Sequence, residues 1–287
     1  MKKHIDLVQN HAFSEPHELI HIDCASHVYP DGSIGIHDLC FRVKENEIVA
    51  LCGANGSGKS TLLEHLNGLL LPSKGNIYVM GEKINATTKK DLWKHVGIVF
   101  QKSDDQLFAP TVLDDVMFGP LNLGMNRGEA WNAAMEALRA VGAEKFINKI
   151  PNYLSGGQKR LVSIAGILAM KPKIIALDEP TSDLDPKHAQ IIENMICELK
   201  EKHGISIVLA THDLDLAARI ADRICIVKGG SVIAEGRPSE IFYNIDLLED
   251  AGLKEPKVVQ VYEALCEFKK VEIKRRPVTV EELVKSL

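Results

Sequence analysis

The feature that most constrains this chain is a glycine-rich loop between an apolar run and a helix-like segment. The loop reads Gly53-Ala54-Asn55-Gly56-Ser57-Gly58-Lys59-Ser60-Thr61 and follows the apolar residues 48–52. Its glycines allow backbone N–H groups to point at phosphate oxygens, and the positive N-terminal end of the next helix faces the same place. We expect Lys59 to reach the β- and γ-phosphates of a nucleotide and Ser60 to bind magnesium. The alternative is an ordinary Gly/Ser-rich turn before a helix.

Composition is typical of a globular protein that does not cross a membrane by itself. The 287 residues are 45% apolar and 25% charged, enough to bury a substantial core. The longest mainly apolar stretch, Leu161 to Met170, is about half of what a bilayer requires. The six cysteines form no close pair in the sequence, which favours free thiols. A formal charge of −5 argues against general attraction to nucleic acid.

Two more apolar, β-branched runs end at polar residues. These are residues 174–177, followed by Asp178-Glu179, and residues 205–210, followed by Thr211-His212. Both runs have the length of buried parallel strands. Because ligands collect outside the carboxyl ends of such strands, we expect Lys59, Asp178, Glu179 and His212 to meet at one edge. The alternative is separate surface acids and a solvated histidine.

The two acids suit different tasks. Asp178 is predicted to hold magnesium, directly or through water, and Glu179 to accept a proton from the water that attacks the γ-phosphate. Hydrolysis, rather than transfer to a substrate, follows if Glu179 faces that water. His212 could contact the γ-phosphate and sense its presence.

A further motif, Leu154-Ser155-Gly156-Gly157-Gln158, precedes an apolar helical pattern. Ser155 is a good helix N-cap, and the glycines leave N–H groups open to an anion. The ordered set of motifs resembles the ATPase cassette of ABC proteins over about residues 20–235. It consists of G-x-x-x-x-G-K-S at 53–60, Gln101, LSGGQ at 154–158, ALDEPTSDLD at 176–185 and Thr211-His212.

This resemblance implies a fold, ligands and site residues. The fold is an α/β P-loop NTPase cassette with an antiparallel β subdomain and a helical subdomain, and the ligands are ATP and Mg²⁺. Tyr29 would stack on adenine, or else be a half-buried strand residue. The implied catalytic residues are Glu179, His212 and Gln101. The implied magnesium ligands are Ser60, Gln101 and Asp178. The implied phosphate-binding residues of the loop are Gly53, Asn55, Gly56, Ser57, Gly58, Lys59, Ser60 and Thr61.

The same resemblance implies a second cassette. Ser155, Gly156, Gly157 and Gln158 would bind the γ-phosphate of ATP held by another copy, and Asp183 and Asp185 would lie in a loop that crosses the interface. One phosphate loop and one LSGGQ segment per chain require a partner, either an identical copy or a related chain. The expected state is therefore a dimer joined by ATP.

The chain's other partners are expected in a membrane. Leu154 follows Gln101 at a spacing of 53 positions, too short for the coiled coil that DNA-repair relatives insert there. Translation-associated relatives usually carry two cassettes, and this sequence has one. These features favour a transporter ATPase at the cytoplasmic face of the cell membrane, a peripheral protein that acts on a transmembrane coupling subunit and a substrate-binding membrane subunit. No nucleic-acid partner is expected.

Residues 103–124 narrow the resemblance to energy-coupling factor transporters, especially their cobalt/nickel branch. An importer of cobalt or nickel is the reading this favours. A vitamin importer of the same class and a soluble ABC regulatory or nucleic-acid ATPase are the alternatives. Phe108, Val112, Val116 and Phe118 could form a groove for a helix of a membrane partner, or pack the subdomain's own core.

The expected organisation has three parts. Residues 1–18 form an N-terminal tail, 19–235 the cassette with its helical subdomain at about 105–165, and 236–287 a C-terminal appendage. One helical face of the appendage would carry Val258, Val261, Tyr262, Leu265 and Phe268, either to contact another ATPase copy or to pack on the chain's own core. Thr279-x-x-Glu282 resembles a capping box. Six histidines in the first 37 residues have loose spacing, and a metal sensor there is a minor alternative.

Overall fold

The computed structural model describes residues 17–269 and 275–286. The strands are β1 Glu18–Val28, β2 Ile34–Lys44, β3 Ile48–Cys52, β4 Lys74–Val79, β5 Glu82–Lys83, β6 Val96–Val99, β7 Ile174–Asp178, β8 Ser206–Thr211, β9 Arg223–Lys228 and β10 Ser231–Gly236. The α-helices are α1 Lys59–Leu66, α2 Val112–Asn122, α3 Arg127–Ala140, α4 Gly156–Leu168, α5 Pro186–His203, α6 Leu214–Ile220, α7 Pro238–Ile241, α8 Ile245–Asp250, α9 Lys257–Lys269 and α10 Val280–Ser286. Short 3₁₀ segments lie at Thr88–Lys94, Ser103–Asp105, Glu144–Phe146 and Pro151–Tyr153.

A six-stranded sheet in the order β10-β9-β3-β8-β7-β6 forms the centre of the cassette. Its strands are parallel except for β10, and every residue of β3, β7 and β8 is buried. Burial on both faces explains why these runs are continuously apolar instead of alternating. Cys52 is in register with Thr211, and Asp178 with Ala210. The carboxyl ends of the three strands therefore lie side by side, as the sequence predicts.

A second sheet, antiparallel and in the order β2-β1-β4-β5, packs beside the first. Three glycines let its β1–β2 hairpin approach the phosphate loop closely. A Cβ at Gly58 would lie 2.5 Å from the carbonyl oxygen of Gly35, and one at Gly230 would lie 3.0 Å from the Cα of Ile36. The N–H of Gly230 donates to the oxygen of Ser57 over 2.8 Å, and its own oxygen accepts from the N–H of His37 over 2.8 Å. The hairpin, the phosphate loop and the β9–β10 turn thus meet at backbone contact.

The helices α2, α3 and α4 form the helical subdomain around apolar residues that include Val116, Leu138 and Val162. Asn126 caps α3 through a capping box with Glu129, whose N–H lies 3.0 Å from the Asn126 oxygen. The two reciprocal hydrogen bonds of this capping box fix the first turn of α3. The subdomain leaves the central sheet at the carboxyl end of β6 and returns to it at the amino end of β7, so only the first junction lies at the carboxyl edge.

The C-terminal appendage comprises α7 to α10. The buried face of α9 carries Val259, Tyr262 and Cys266, whereas Val261 and Phe268 are exposed. Val261 and Phe268 of the predicted apolar face therefore do not pack on the chain's own core, and the alternative for them, contact with another ATPase copy, stays a prediction. Thr279 accepts the N–H of Glu282 over 3.3 Å, while the Glu282 carboxylate accepts the N–H of Val278 instead of that of the cap residue.

Neighbouring strands bring together two thiols that are far apart in sequence. The Sγ atoms of Cys24 on β1 and Cys40 on β2 lie 3.6 Å apart, so the expectation that the cysteines form no close pair holds for the sequence but not for the fold. Across residues 17–269 and 275–286, no helix is long and apolar enough to span a bilayer, and no three potential metal-binding side chains cluster. The terminal histidines His4 and His11 lie outside the described residues.

Candidate nucleotide-binding site

A cleft of about 400 Å³ opens at the carboxyl edge of the central sheet. It is lined by Tyr29, Ile34, Gly35, Asn55, Gly56, Gly58, Lys59, Ser60, Thr61, Gln101, Asp178 and Glu179. The structure thus brings together the phosphate loop, both acids and two more residues selected from sequence. Ile34 and Gly35 were missed, since nothing in the β2 sequence distinguishes them from other strand residues.

Lys59 is buried in the loop it belongs to. Its Nζ donates to the carbonyl oxygens of Gly53, at 2.8 Å, and Ala54, at 3.1 Å. Burial lowers the pKa of Lys59, while the nearby Glu179 and Asp178 act in the opposite direction. The ammonium group is therefore held beside the N-terminus of α1, where a phosphate could replace the two carbonyl contacts.

Asp178 ends β7 with only 7% of its surface exposed. Burial raises the pKa of Asp178, and a hydrogen bond from the Ser60 side chain opposes that effect. The carboxylate of Asp178 and the hydroxyl of Ser60 are hard oxygen donors in direct contact, and the amide of Gln101 lines the same cleft. This donor set fits Mg²⁺, which prefers oxygen ligands.

Three contacts fix the carboxylate of Glu179. Its Oε1 accepts the backbone N–H of His212 at 3.0 Å and lies 2.8 Å from His212 Nδ1, and its Oε2 accepts the Thr211 hydroxyl at 3.2 Å. The residue itself has a φ of 45°, a left-handed conformation that is uncommon for a side chain other than glycine. The strands β7 and β8 thus aim the carboxylate into the cleft. His212 lies behind Glu179 and does not line the cleft.

Tyr29 stands at the end of β1, where the N–H of Gly32 donates to its carbonyl in a tight turn. Its hydroxyl lies 2.9 Å from Thr61 Oγ1, and its ring edge is close enough that a Cβ at Gly35 would come within 2.9 Å of it. Tyr29 is half-buried and leaves part of its ring on the cleft. Its position combines a structural contact with a surface for a flat ligand.

Gln101 follows β6, and its side chain is exposed toward the cleft. The guanidinium of Arg160 on α4 donates to the carbonyl oxygens of Phe100 and Gln101. The sequence contains no signal for this contact, because Arg160 lies 59 residues from Gln101 along the chain.

The LSGGQ segment forms the start of α4, away from the cleft. Ser155 caps the helix by accepting the N–H of Gln158 at 3.4 Å, and Gln158 Oε1 accepts the N–H of Ser155 at 3.3 Å. Ser155 and Gly156 are exposed, and neither they nor Gly157 and Gln158 line the cleft. The structure therefore keeps this segment apart from the chain's own phosphate loop.

Comparison with known proteins identifies the family. A family model described as ABC transporter matches residues 36–182. The energy-coupling factor transporter ATP-binding protein EcfA of Methanocaldococcus jannaschii is 47% identical over 239 residues, which cover 83% of this chain and 85% of that protein. The protein of the same name from Methanococcus maripaludis is 45% identical over 86% of this chain and 89% of its own length. The chain is an ABC transporter ATPase of the energy-coupling factor type.

Solved structures agree with this assignment. cbiO1 of Clostridium perfringens, described as part of the ABC transporter complex cbiONQ, has a TM-score of 0.74 and 35% identity over 86% of this chain. The cassette MJ0796, solved as a dimer in a post-hydrolysis state with ADP and Pi, has a TM-score of 0.68 and 33% identity over 76% of this chain. The predicted P-loop ABC cassette fold is confirmed. This ABC transporter ATPase binds ATP, and its hydrolysis of ATP is coupled to transport.

Proposed function

We propose that this chain is the ATP-hydrolysing subunit of an energy-coupling factor importer for cobalt or nickel ions. It would act as a peripheral protein at the cytoplasmic face of the cell membrane. The observation that carries the ATPase role is the fixed carboxylate of Glu179 in the same cleft as Lys59 and Asp178. The resemblance of residues 103–124 to the cobalt/nickel branch supports the choice of cargo.

In this proposal the cleft binds ATP along its length. Tyr29 stacks on adenine, and the loop residues Gly53 to Thr61 surround the phosphates with backbone N–H groups. Lys59 leaves the carbonyls of Gly53 and Ala54 and binds the β- and γ-phosphates instead. Exchange of two neutral acceptors for a charged one favours this movement, because charge-assisted hydrogen bonds are the stronger ones.

Ser60, Asp178 and Gln101 would hold Mg²⁺. When bound, the ion neutralises charge on the phosphate oxygens and so favours attack by water. Ser60 already donates a hydrogen bond to Asp178, so the two ligands need little rearrangement. Burial raises the pKa of Asp178 because it disfavours the ionised carboxylate. A bound cation would favour the ionised form and so oppose this effect of burial.

Glu179 would accept the proton of the attacking water. Thr211 and the backbone of His212 hold its carboxylate in place, which leaves the orientation of the base fixed before ATP arrives. His212 binds Glu179 through Nδ1, so its Nε2 is the atom that would reach the γ-phosphate. This chain's residues therefore supply both the base and a group that responds to the γ-phosphate.

A second cassette would complete the site. Ser155 and Gly156 are exposed, and none of the four LSGGQ residues 155–158 lines the chain's own cleft, which suits binding to the γ-phosphate held by a neighbouring copy. Asp183 and Asp185 would lie at the same interface. The dimer described for MJ0796 supports this arrangement. The appendage offers Val261 and Phe268 on α9, with Val280 and Val284 on α10, as exposed apolar residues for a further contact between copies.

A groove on the helical subdomain is the proposed contact for a transmembrane coupling subunit. Phe108 and Phe118 are 66% and 50% exposed, and their rings meet edge to face with centroids 4.8 Å apart. They border a groove of about 480 Å³ whose other walls include Val162, Ile167 and Met170. Val112 and Val116 are fully buried and belong to the subdomain core. Two of the four residues proposed from sequence for this groove therefore line it.

The ATPase and dimer roles can be tested with Glu179→Gln. An amide can keep the contacts with His212 and Thr211 but cannot accept the proton, so we expect hydrolysis to fall by about 100-fold or more. The variant should form a dimer at saturating ATP, measured by light scattering, while the matched variant Lys59→Met should remain monomeric. A Glu179→Gln protein that stays monomeric with ATP would contradict the composite site.

The cargo and membrane partners require the assembled complex. Purification from the native membrane should recover a coupling subunit and a substrate-binding subunit, with cobalt or nickel detected by elemental analysis. A cysteine placed at Phe118 on α2 should crosslink to the coupling subunit. A cysteine at the exposed Val28, on β1 of the antiparallel sheet, should not. A bound vitamin would identify the vitamin branch, and stimulation of hydrolysis by nucleic acid would reject the importer.

A further inference from the structure

We infer that Arg160 is a positioning residue that ties Gln101 to the helix carrying the LSGGQ segment. The inference rests on the proposed function and extends it, because it concerns how one nucleotide site of the dimer affects the other. The supporting observation is that the buried guanidinium of Arg160 contacts the backbone carbonyls of Phe100 and Gln101, the two residues that follow β6.

The contact is specific in its geometry. Arg160 is 4% exposed, and two different nitrogens of its guanidinium donate to the carbonyl oxygens of Phe100 and Gln101. The planar fork of arginine suits two acceptors at fixed spacing, whereas the ammonium of lysine is a single point charge. A buried, charged donor that satisfies two backbone acceptors is costly to remove or shift. The backbone of Gln101 therefore has one favoured position relative to α4.

The preceding residue of the helix provides a contrast. Lys159 pairs with Asp104, which also follows β6, but the Asp104 side chain is 70% exposed. Exposed ion pairs contribute little, since water and salt screen them. Two adjacent residues of α4 thus contact the same loop, and only Arg160 holds its backbone from a buried position.

The consequence concerns both nucleotides of the dimer. In the proposed arrangement, Ser155 at the N-cap of α4 faces ATP on the neighbouring copy, and Gln101 serves ATP on its own copy. Arg160 lies less than two helical turns from Ser155, so a displacement of the start of α4 moves both ends of the contact together. The position of Gln101 then depends on whether the neighbour's γ-phosphate is bound.

Arg160→Lys tests the positioning role, because lysine keeps the positive charge but loses the two donors that the planar guanidinium holds at fixed spacing. We expect its kcat for ATP to fall about tenfold and its KM to stay within about twofold, since the residue does not touch the nucleotide. The matched control Lys159→Gln should stay within about twofold in both constants. In a Gln101→Ala background, Arg160→Lys should cause no further loss, because residues that act as a unit are not additive. An ATP affinity equal to that of the wild-type monomer would confirm that each variant is folded.

A second readout does not depend on turnover. ATP-driven dimerisation of Glu179→Gln should slow amide hydrogen exchange in residues 101–105, and this protection should be lost in Glu179→Gln/Arg160→Lys although the dimer still forms. Full protection in the double variant, a wild-type kcat for Arg160→Lys, or equal losses with and without Gln101 would each overturn the inference. Failure of Glu179→Gln itself to dimerise would instead count against the proposed function.

Discussion

Replacement of Gly157 by alanine should force apart α4 and the helix that follows the Asp185 loop. A Cβ at Gly157 would lie 2.7 Å from Cδ2, 2.8 Å from Cγ and 2.9 Å from Cβ of His188. His188 cannot move away freely, since its Nδ1 lies 2.5 Å from Asp185 Oδ2 and its backbone N–H donates to Asp185 Oδ1 at 3.0 Å. The added methyl group must therefore break the Asp185 contact or displace one helix.

The expected cost follows from two opposing effects. Overpacking of this kind costs about 1–3 kcal/mol, and alanine gains at most about 1 kcal/mol over glycine from helix propensity. We expect Gly157→Ala to lower the free energy of unfolding by about 1–2 kcal/mol, measured by urea denaturation with an unchanged m-value. Truncation of the obstacle in Gly157→Ala/His188→Ala should reduce the cost of the alanine to about 0.5 kcal/mol or less.

A neighbouring glycine supplies the control. A Cβ at Gly156 would lie 3.8 Å from Leu184 Cδ2, an ordinary van der Waals contact, so Gly156→Ala should not destabilise the protein. Equal destabilisation by Gly157→Ala with and without His188, or an equal cost at Gly156, would refute the explanation by steric contact with His188. Stability is the appropriate measurement, because both glycines belong to the segment proposed to bind the γ-phosphate. Their substitution could change ATP hydrolysis without any steric contact with His188.

Three further predictions concern charge and thiols. Burial raises the pKa of Asp178, so the ionised carboxylate costs the folded protein stability once the pH rises above 3.8, the ordinary pKa of aspartate. Asp178→Asn should therefore unfold at a higher temperature than wild type at pH 7, and in a thermal-shift series the difference should vanish below pH 3.8. Arg219→Ala should cost about 2 kcal/mol in urea denaturation, because the buried Glu193 loses contacts of 2.8 and 2.9 Å, whereas the exposed Lys202→Ala should cost about 0.5 kcal/mol or less. The hydrogen bond with the Cys40 thiol, together with burial, raises the pKa of Cys24 to about 12. Because only the thiolate reacts, alkylation of Cys24 by iodoacetamide at pH 8 should be at least about tenfold slower in the folded than in the urea-unfolded chain. Equal rates would contradict the environment assigned to Cys24.

The sequence was most informative where a local pattern carries its own geometry. The phosphate loop, the two strands before Asp178 and His212, and the Ser155 cap are each specified by residues close together in the chain. Parallel strands place their ends at one edge, so Lys59, Asp178 and Glu179 could be brought together without knowledge of the packing. His212 was also placed correctly at this edge, but its contact with Glu179 depends on the rotamers of both residues.

Other features depend on how separate segments turn toward each other. The rotation of α2 decides that Val116 is core and Phe118 borders a groove, and a helical period alone does not fix that angle when both faces are apolar. The contact of Arg160 with Gln101 joins residues from different subdomains. The Cys24–Cys40 pair requires the register of β1 and β2, which is shifted by irregularities between Ile22 and Ala25. None of these leaves a signature within a short window of sequence.

The backbone contact among Gly35, Gly58 and Gly230 has a consequence for the catalytic cycle. A Cβ at Gly58 or Gly230 would meet the backbone of the β1–β2 hairpin. We therefore expect the part of the cleft that would hold adenine to stay fixed relative to the part that would hold the phosphates. The distance between the adenine end and the phosphate end of the cleft would then be the same with and without bound nucleotide. Any opening and closing of the site is then expected where the helical subdomain joins the sheet, in residues 100–111 after β6 and residues 169–173 before β7.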